Sequence, residues 1–86
     1  MSRIYDLKQK EVINIRDGSR HGFVADVEIN VKTGSVEAII VPGPARLLGV
    51  FGREQEFKIP WGAIKRIGDD LIIIEAETGD VLQDIE

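Results

Sequence analysis

Apolar and polar residues alternate with a period of two in several short stretches of the chain, a pattern that predicts β-strands. The clearest stretch runs from Phe23 to Val31, where every second residue is apolar and three of the four residues between them are polar. Its predicted inward face consists of Phe23, Ala25, Val27, Ile29 and Val31. No segment keeps a 3.6-residue period over three turns, so no long helix is expected.

Turn-forming residues separate this strand from its neighbours and predict antiparallel pairing. A shorter strand, Val12 to Arg16, precedes it, and the polar, glycine-containing segment 17–22 predicts a hairpin turn between them. On the other side, residues 32–34 end in a glycine suited to a left-handed conformation and lead into a third strand at 35–41. Residues 42–44, Pro-Gly-Pro, end that strand because proline has no N–H to donate.

The second half of the chain continues the pattern. Residues 56–59, 64–67 and 71–75 read as strands, 60–63 allow one helical turn at most, and 68–70 form a turn. Five to six short strands in a chain of 86 residues predict an all-β fold. The expected architecture is a small single-domain β-barrel of mostly antiparallel strands, because closure removes sheet edges that would otherwise aggregate.

Composition supports strands and excludes several kinds of site. Ile and Val supply 21 residues against 10 for Leu and Ala, which favours a pleated surface. Cysteine is absent, so disulfides, thiolate nucleophiles and cysteine-based zinc sites are excluded. The first residues are too polar for a signal peptide, and no apolar run exceeds four residues. We therefore expect a cytoplasmic protein without a transmembrane segment.

Charge is unevenly distributed along the sequence. Eleven Lys and Arg residues against 15 Asp and Glu residues give a net charge of −4. Residues 69–86 contain seven acids and no base, so residues 1–68 carry a net +3, from 11 bases and eight acids. We expect residues 1–76 to form the barrel and residues 77–86 to be an acidic C-terminal tail, either weakly ordered or forming a short extra strand after the turn at 78–80.

Four segments together resemble a known family. They are Lys10 to Asn14 followed by Asp17-Gly18 and Gly22, then Gly49 to Glu54, Ile59 to Trp61 and Ile64 to Asp70. The most specific part is the Phe-Gly-Arg-Glu run in its spacing before Ile-Pro-Trp and Ile-Gly-Asp-Asp. In these segments the chain resembles the PRC-barrel domain and, within it, the YlmC/YmxH group of small sporulation-associated bacterial proteins. The resemblance spans about residues 3–76, with Gly62 standing where relatives often have a polar residue.

The resemblance implies a fold and a class of activity. PRC barrels occur in the cytoplasmic part of a photosynthetic reaction-centre subunit and in the C-terminal domain of the ribosome maturation factor RimM, where they bind or scaffold other macromolecules without catalysis. It therefore implies a non-enzymatic adaptor for protein–protein interaction, associated with sporulation, that needs no cofactor and could form a homodimer. The alternative is a RimM-like accessory of the ribosome or of RNA.

Two sets of residues are candidates for contacts with partners. The first lies in an apolar loop and consists of Arg46, Leu47, Leu48, Phe51 and Arg53. Its apolar side chains could plug the barrel mouth or form a protein interface with an arginine rim, and both interpretations stay open. The second set, Lys58, Lys65 and Arg66, would provide phosphate contacts if nucleic acid is the partner.

No residue pattern indicates catalysis or metal binding. His21 is the only histidine, and in a polar, glycine-rich segment it is expected to be a solvated turn residue without the neighbours that a catalytic or metal site needs. Trp61 is expected to pack against the barrel, with base stacking as the alternative. No catalytic, cofactor-binding or metal-ligating residue is predicted.

Overall fold

The computed structural model describes residues 3–43 and 55–85. These residues form eight strands, two short helices and one 3-10 turn. In chain order the elements are α1 (Ile4–Leu7), β1 (Glu11–Asn14), β2 (Ser19–Phe23), β3 (Asp26–Ile29), β4 (Val36–Pro42), β5 (Gln55–Pro60), the 3-10 turn (Trp61–Ala63), β6 (Ile64–Ile67), β7 (Leu71–Ile74), α2 (Thr78–Val81) and β8 (Leu82–Asp84).

The strands form two four-stranded sheets around one hydrophobic core. The first sheet has the order β2-β1-β7-β6 and the second the order β3-β4-β5-β8. Neighbouring strands are antiparallel except β1 and β7, which are parallel. The core consists of Leu7, Val12, Val24, Ile39, Val41, Phe57, Ile59, Ile72, Ile74 and Val81. The predicted all-β, mostly antiparallel class is confirmed, with eight strands in place of five or six.

The stretch from Phe23 to Val31 is two strands and not one. The chain leaves the first sheet after Phe23 and enters the second at Asp26, and strands that switch sheets in this way make the corners of a small β structure. Val24 is buried at this corner, and the Ala25 N–H donates to the Ile40 carbonyl at 2.8 Å. The predicted inward face was wrong: Phe23 is 53% and Val31 92% exposed.

Two bulges explain why simple alternation failed here. The pairing of β1 with β2 jumps from Gly22 to Arg20, which leaves His21 as an extra residue, and β4 has a similar irregularity opposite Glu28 and Ile29. An extra residue shifts which side chains point inward. Strand β1 does form an antiparallel hairpin, but its partner is β2, which occupies the expected turn. The predicted pairing with the strand from Phe23 to Val31 was wrong, because β3 belongs to the second sheet.

The C-terminal residues belong to the second sheet. Strand β8 pairs antiparallel with β5, with Leu82 opposite Phe57, and Val81 from α2 is buried in the core. Of the two interpretations of this segment, the structure shows the short extra strand, which follows the helical turn Thr78–Val81. Its apolar residues, though few, complete the core beside β5.

Candidate interaction surface

The side of the first sheet that faces away from the core carries large apolar residues. In β1 and β7 every second residue is fully buried: Val12, Asn14, Ile72 and Ile74. Because neighbouring residues on a strand point to opposite sides, Ile13, Leu71 and Ile73 point outward. Phe23 joins them, since Phe23 and Leu71 both lie opposite Glu11, whose side chain points to the same side between them. We call Ile13, Phe23, Leu71 and Ile73 the apolar face.

The apolar face is partly open to solvent. Phe23 is 53% and Leu71 40% exposed, while Ile13 and Ile73 are half-buried. A sheet with one side on the core normally presents polar residues on its other side. At the edge of the face lies a depression of about 300 Å³, lined by Arg66, Gly68, Asp69, Asp70, Leu71 and Ile73. Large apolar residues left partly open on this side make it a candidate interaction surface.

Arginines stand at both lateral borders of the apolar face. Ile13 pairs with Arg20 on one side and with Ile73 on the other, and Ile73 pairs with Arg66. One row across the sheet therefore reads Arg20, Ile13, Ile73, Arg66. The Arg20 guanidinium lies 2.8 Å from the Glu11 carboxylate.

The border on β6 has the less compensated positive charge. Its pairing with β7 shifts between Ile64 and Arg66, which makes Lys65 an extra residue, and Lys65 and Arg66 are both exposed. Neither forms an ion pair with any residue that the structure describes. This border can therefore meet carboxylates on a binding partner.

The outward side of the second sheet has the opposite character. A groove of about 510 Å³ there is lined by Glu28, Asn30, Glu37, Ala38, Lys58, Pro60, Asp80, Val81 and Gln83. The Lys58 ammonium, the one cation among the described residues that line it, lies 2.9 Å from the Glu28 carboxylate. Of the residues predicted for nucleic-acid contact, Lys58 thus lies on the second sheet, while Lys65 and Arg66 are neighbours on the first.

The predicted loop surface lies outside the described residues. Arg46, Leu47, Leu48, Phe51 and Arg53 all belong to the segment 44–54, which the structure does not describe. The two interpretations of that loop, barrel plug or interface, therefore stay predictions.

A polar network joins the end of β1 to the segment before α2. Asn14 is fully buried, and its side-chain amide donates to the Ala76 carbonyl at 2.7 Å. Its side-chain oxygen accepts from the Arg16 N–H at 3.1 Å and from the Ala76 N–H at 3.3 Å. The Asn14 side chain thus bonds both backbone groups of Ala76, 62 positions away in the sequence, as the backbone of a paired strand would.

Next to Asn14, a second group of polar side chains surrounds Asp17. The Asp17 carboxylate accepts from the Ser19 hydroxyl at 2.6 Å, from the Ser19 N–H at 2.9 Å and from the Thr78 hydroxyl at 2.9 Å. These hydrogen bonds, with those from Ser19 contributing most, lower the pKa of Asp17 to about 2. Hydrogen bonds to the ionised form stabilise it against protonation.

His21 is a strand residue packed at the junction of the sheets, which corrects the expectation of a solvated turn residue. Its ring centroid lies 4.4 Å from that of Phe57 on the second sheet, and its Nε2 lies 3.1 Å from the Ser19 hydroxyl oxygen. Burial lowers the pKa of His21, and the nearby Asp17 carboxylate partly opposes this shift. The bulge turns the ring inward, and no turn signal in the sequence could show this.

Asp17, Ser19 and His21 do not form a nucleophilic triad. In such a triad the histidine stands between serine and carboxylate and takes the serine proton. Here Ser19 stands between the other two, and its short hydrogen bond to Asp17 is the geometry of a hydroxyl donating to a carboxylate. A carboxylate with a pKa of about 2 is also too weak a base to activate a hydroxyl. Within residues 3–43 and 55–85, no three His, Asp or Glu side chains are grouped so that they could hold a metal ion.

Trp61 opens the 3-10 turn after β5 and is 38% exposed. It is absent from the hydrophobic core cluster, whereas Ala63 and Ile64, which follow it, pack against that cluster. The predicted single helical turn is confirmed.

Sequence reasoning missed the apolar face because it assigned one apolar side to each strand. The available signal was the run Leu71 to Ile74, four apolar residues in succession. A strand without alternation is apolar on both sides, so it needs either a second layer or a partner on its outward side.

In the described part of the chain, no helix has the length and apolar character needed to cross a membrane.

Comparison with known proteins places the chain in a family. Residues 1–81 match the family model described as PRC-barrel domain. The chain is 42% identical over 74 residues to the probable sporulation protein YlmC of Bacillus subtilis, covering 86% of this chain and 91% of that protein.

Two further relatives match over similar lengths. The uncharacterized protein YmxH of Bacillus subtilis is 31% identical over 75 residues, covering 85% of this chain and 87% of that protein. An uncharacterized protein of Clostridium acetobutylicum is 32% identical over 71 residues, covering 83% of this chain and 80% of that protein. The resemblance noted in the sequence is thereby confirmed, and the chain belongs to the PRC-barrel family, alongside YlmC and YmxH.

Proposed function

We propose that this protein is a non-enzymatic, cytoplasmic interaction module that binds a protein partner through the apolar face, in a process associated with sporulation. The observation that carries the proposal is the partly exposed set of Ile13, Phe23, Leu71 and Ile73 on the outer side of the first sheet. Contact with a protein partner would remove this surface from water, which is the main favourable contribution to association. The link to sporulation rests on the similarity to YlmC, whose name gives it as a probable sporulation protein.

Two features support a binding role over an enzymatic one. The polar network around Asn14 and Asp17 forms its hydrogen bonds with backbone groups and neighbouring side chains. The Ser19 hydroxyl in this network donates to the Asp17 carboxylate and is not activated as a nucleophile. The loop residues Arg46 to Arg53 stay a second predicted contact region, including for a homodimer.

The alternative, an RNA-binding accessory, has narrower support. Lys65 and Arg66 are exposed and without ion pairs among the described residues, which suits phosphate contacts. Lys58, however, lies on the other sheet and pairs with Glu28. A protein partner for the apolar face is therefore the better supported function.

Site-specific photo-crosslinking tests the proposal. A photoreactive phenylalanine analogue replaces Phe23, which is exposed on the apolar face, in cells that express the chain at its native level. The matched control carries the analogue at Val31, which is 92% exposed and follows β3 of the second sheet. We expect a discrete protein crosslink from position 23 and none of that mass from position 31. The same products from both positions, or none from position 23, would contradict the proposal.

A further inference from the structure

The structure also indicates what kind of partner the apolar face fits, an inference that rests on the proposed function. We propose that the apolar face binds a short amphipathic helix of the partner, lying along the strands between Arg20 and Arg66, with carboxylates on the flank that faces Lys65 and Arg66. The dimensions, the charges and the arrangement of the two borders each support this occupant.

The width of the face matches one helix. Arg20 and Arg66 occupy the two edge strands of a four-stranded row, so their Cα atoms are three strand spacings apart, about 14 Å. A helix with its side chains is roughly 10 to 12 Å in diameter. It fits between the two arginines with its apolar stripe on Ile13 and Ile73.

The length of the face also suits a short helix and not a large interface. Strands β1, β6 and β7 have four residues each, which gives a face about 13 Å long. This length corresponds to roughly nine helical residues. A face of about 14 by 13 Å is well below the roughly 800 Å² that each partner of a standard stable complex contributes.

The charges around the face favour an acidic flank on the side of the helix next to β6, because on the other side Glu11 already pairs with Arg20. The Arg66 and Lys65 border is positive and lacks ion pairs among the described residues, so it favours glutamate or aspartate on that side. Asp69 and Asp70 lie at one end of the face, in the turn between β6 and β7. A helix whose N-terminus points to this end places its positive dipole end next to those carboxylates.

A second copy of this chain fits the face less well. Packed sheets keep their strands within roughly 30° of each other. Suppose that two copies of the chain pack their apolar faces together around a two-fold axis with their strands aligned in this way. The row Arg20, Ile13, Ile73, Arg66 of one copy then lies over the same row of the other copy. Each border arginine then faces Arg20 or Arg66 of the other copy, and only Arg20 has a carboxylate, that of Glu11, to offset the repulsion between like charges.

Peptide binding to the full-length protein tests the inference. The probe is a fluorescent 14-residue synthetic helix with a leucine stripe flanked by glutamates, and the comparison peptide has lysines in place of every glutamate. The net charge of the protein is −4, so overall charge favours the lysine peptide, whereas the Arg66 border favours the glutamate peptide. By fluorescence anisotropy in low salt, we expect the glutamate peptide to bind at least about tenfold more tightly, since a tenfold ratio needs only 1.4 kcal/mol.

Variants locate the binding. Arg66→Glu should remove the preference for the glutamate peptide, and Leu71→Asp should weaken both peptides. Lys58→Gln, on the outer side of the second sheet, is the matched control and should change neither. Circular dichroism of each variant must show the wild-type fold, and if Leu71→Asp is unfolded, Leu71→Ser takes its place.

Each contrary result has a defined meaning. Preference for the lysine peptide, absence of binding, or indifference to Arg66→Glu would overturn the helix inference. Sedimentation showing self-association abolished by Leu71→Ser would make a second copy the occupant and would also overturn it. Binding of the wild-type protein to vesicles of anionic phospholipid would also overturn the helix inference, if Arg66→Glu abolishes that binding. A crosslink from position 23 combined with any of these results would leave the proposed function standing and reject only the helix.

Discussion

Asn14 shows how a single residue fixes the relation between distant parts of this chain. Its fully buried amide satisfies both backbone groups of Ala76 and the N–H of Arg16. Asn14→Ala would leave these groups without their side-chain partner and open a small cavity at a fully buried position. We expect a loss of about 2 to 4 kcal/mol in the free energy of unfolding, measured by urea denaturation.

Asn30 is the matched control for this substitution. Its side-chain oxygen also accepts backbone N–H groups, from Lys32 at 2.9 Å and Thr33 at 3.2 Å, but at an exposed turn. Asn30→Ala should therefore cost about 1 kcal/mol or less, because water can replace the lost bonds. Equal losses in the two variants would show that burial of Asn14 is not what makes it costly to replace.

Asp17 and His21 make the stability of the fold depend on pH. The pKa of Asp17 is lowered from 3.8 to about 2, so between these values the unfolded chain binds a proton that the folded chain does not. Its stabilising effect is complete above about pH 4 and is lost as the pH falls toward 2. The pKa of His21 is lowered from 6.5, so the free energy of unfolding also decreases as the pH falls below 6.5.

The two contributions can be separated by substitution. Thermal unfolding followed from pH 7.5 to pH 2.5 should show a first decrease below pH 6.5 and a second at strongly acidic pH. His21→Phe should remove only the first decrease. Asp17→Asn should reduce the second and, because the carboxylate no longer supports a charged His21, deepen the first. A first decrease that persists in His21→Phe would assign it to another group.

At the scale of elements, the sequence predicted most strands but not the corner between the sheets. The strands Val36–Pro42, Gln55–Pro60, Ile64–Ile67 and Leu71–Ile74 lie within one residue of the predicted bounds, because glycine, proline and aspartate turns delimit them. The corner at Val24 failed because the chain changes sheets there without a turn signal. The parallel pairing of β1 with β7 joins segments about 60 residues apart, which no local pattern encodes.

The last two elements are a structural part of the second sheet. Val81 is buried and β8 covers the edge of β5, so a chain ending at Ala76 loses core and pairing together. The burial of Val81 alone is worth roughly 1.5 to 3 kcal/mol. We expect this truncation to lower the midpoint of thermal unfolding strongly, as measured by circular dichroism.

A shorter truncation provides the control. A chain ending at Asp84 keeps α2, β8 and their contacts, and loses only the partly exposed Ile85 and the residue after it. Its unfolding midpoint should stay within a few degrees of the full chain. If both truncations behave alike, β8 does not contribute to stability as proposed.

For the whole molecule, the net charge of −4 does not reveal that the outer sides of the two sheets differ in character. One sheet presents apolar residues bordered by arginines, and the other presents a groove with Glu28, Glu37 and Asp80 around Lys58. The family, and with it the class of fold, could be predicted because several segments carry the resemblance together. The apolar face could not, because its four residues meet only through the register of β2, β1 and β7.

This arrangement predicts how the molecule should respond to RNA. Only Lys65 and Arg66 lie together, so at most two phosphate contacts are expected from the described candidates, and the slope of log affinity against log salt should be about −1.4. If Lys58 contributed as well, the slope would approach about −2.1. Anisotropy with labelled single-stranded RNA between 20 and 200 mM salt distinguishes the two cases, with Lys58→Gln as the check.

The acidic C-terminal segment should not control this weak affinity. Asp80 and Asp84 lie in α2 and β8 on the second sheet, whereas Lys65 and Arg66 lie on β6 of the first. Neutralising both acids by Asp80→Asn and Asp84→Asn keeps the fold's pairing and should raise RNA affinity less than twofold. A tenfold gain would mean that these carboxylates do screen Lys65 and Arg66. An acidic protein partner would then compete with the protein's own C-terminal segment for the same two cations.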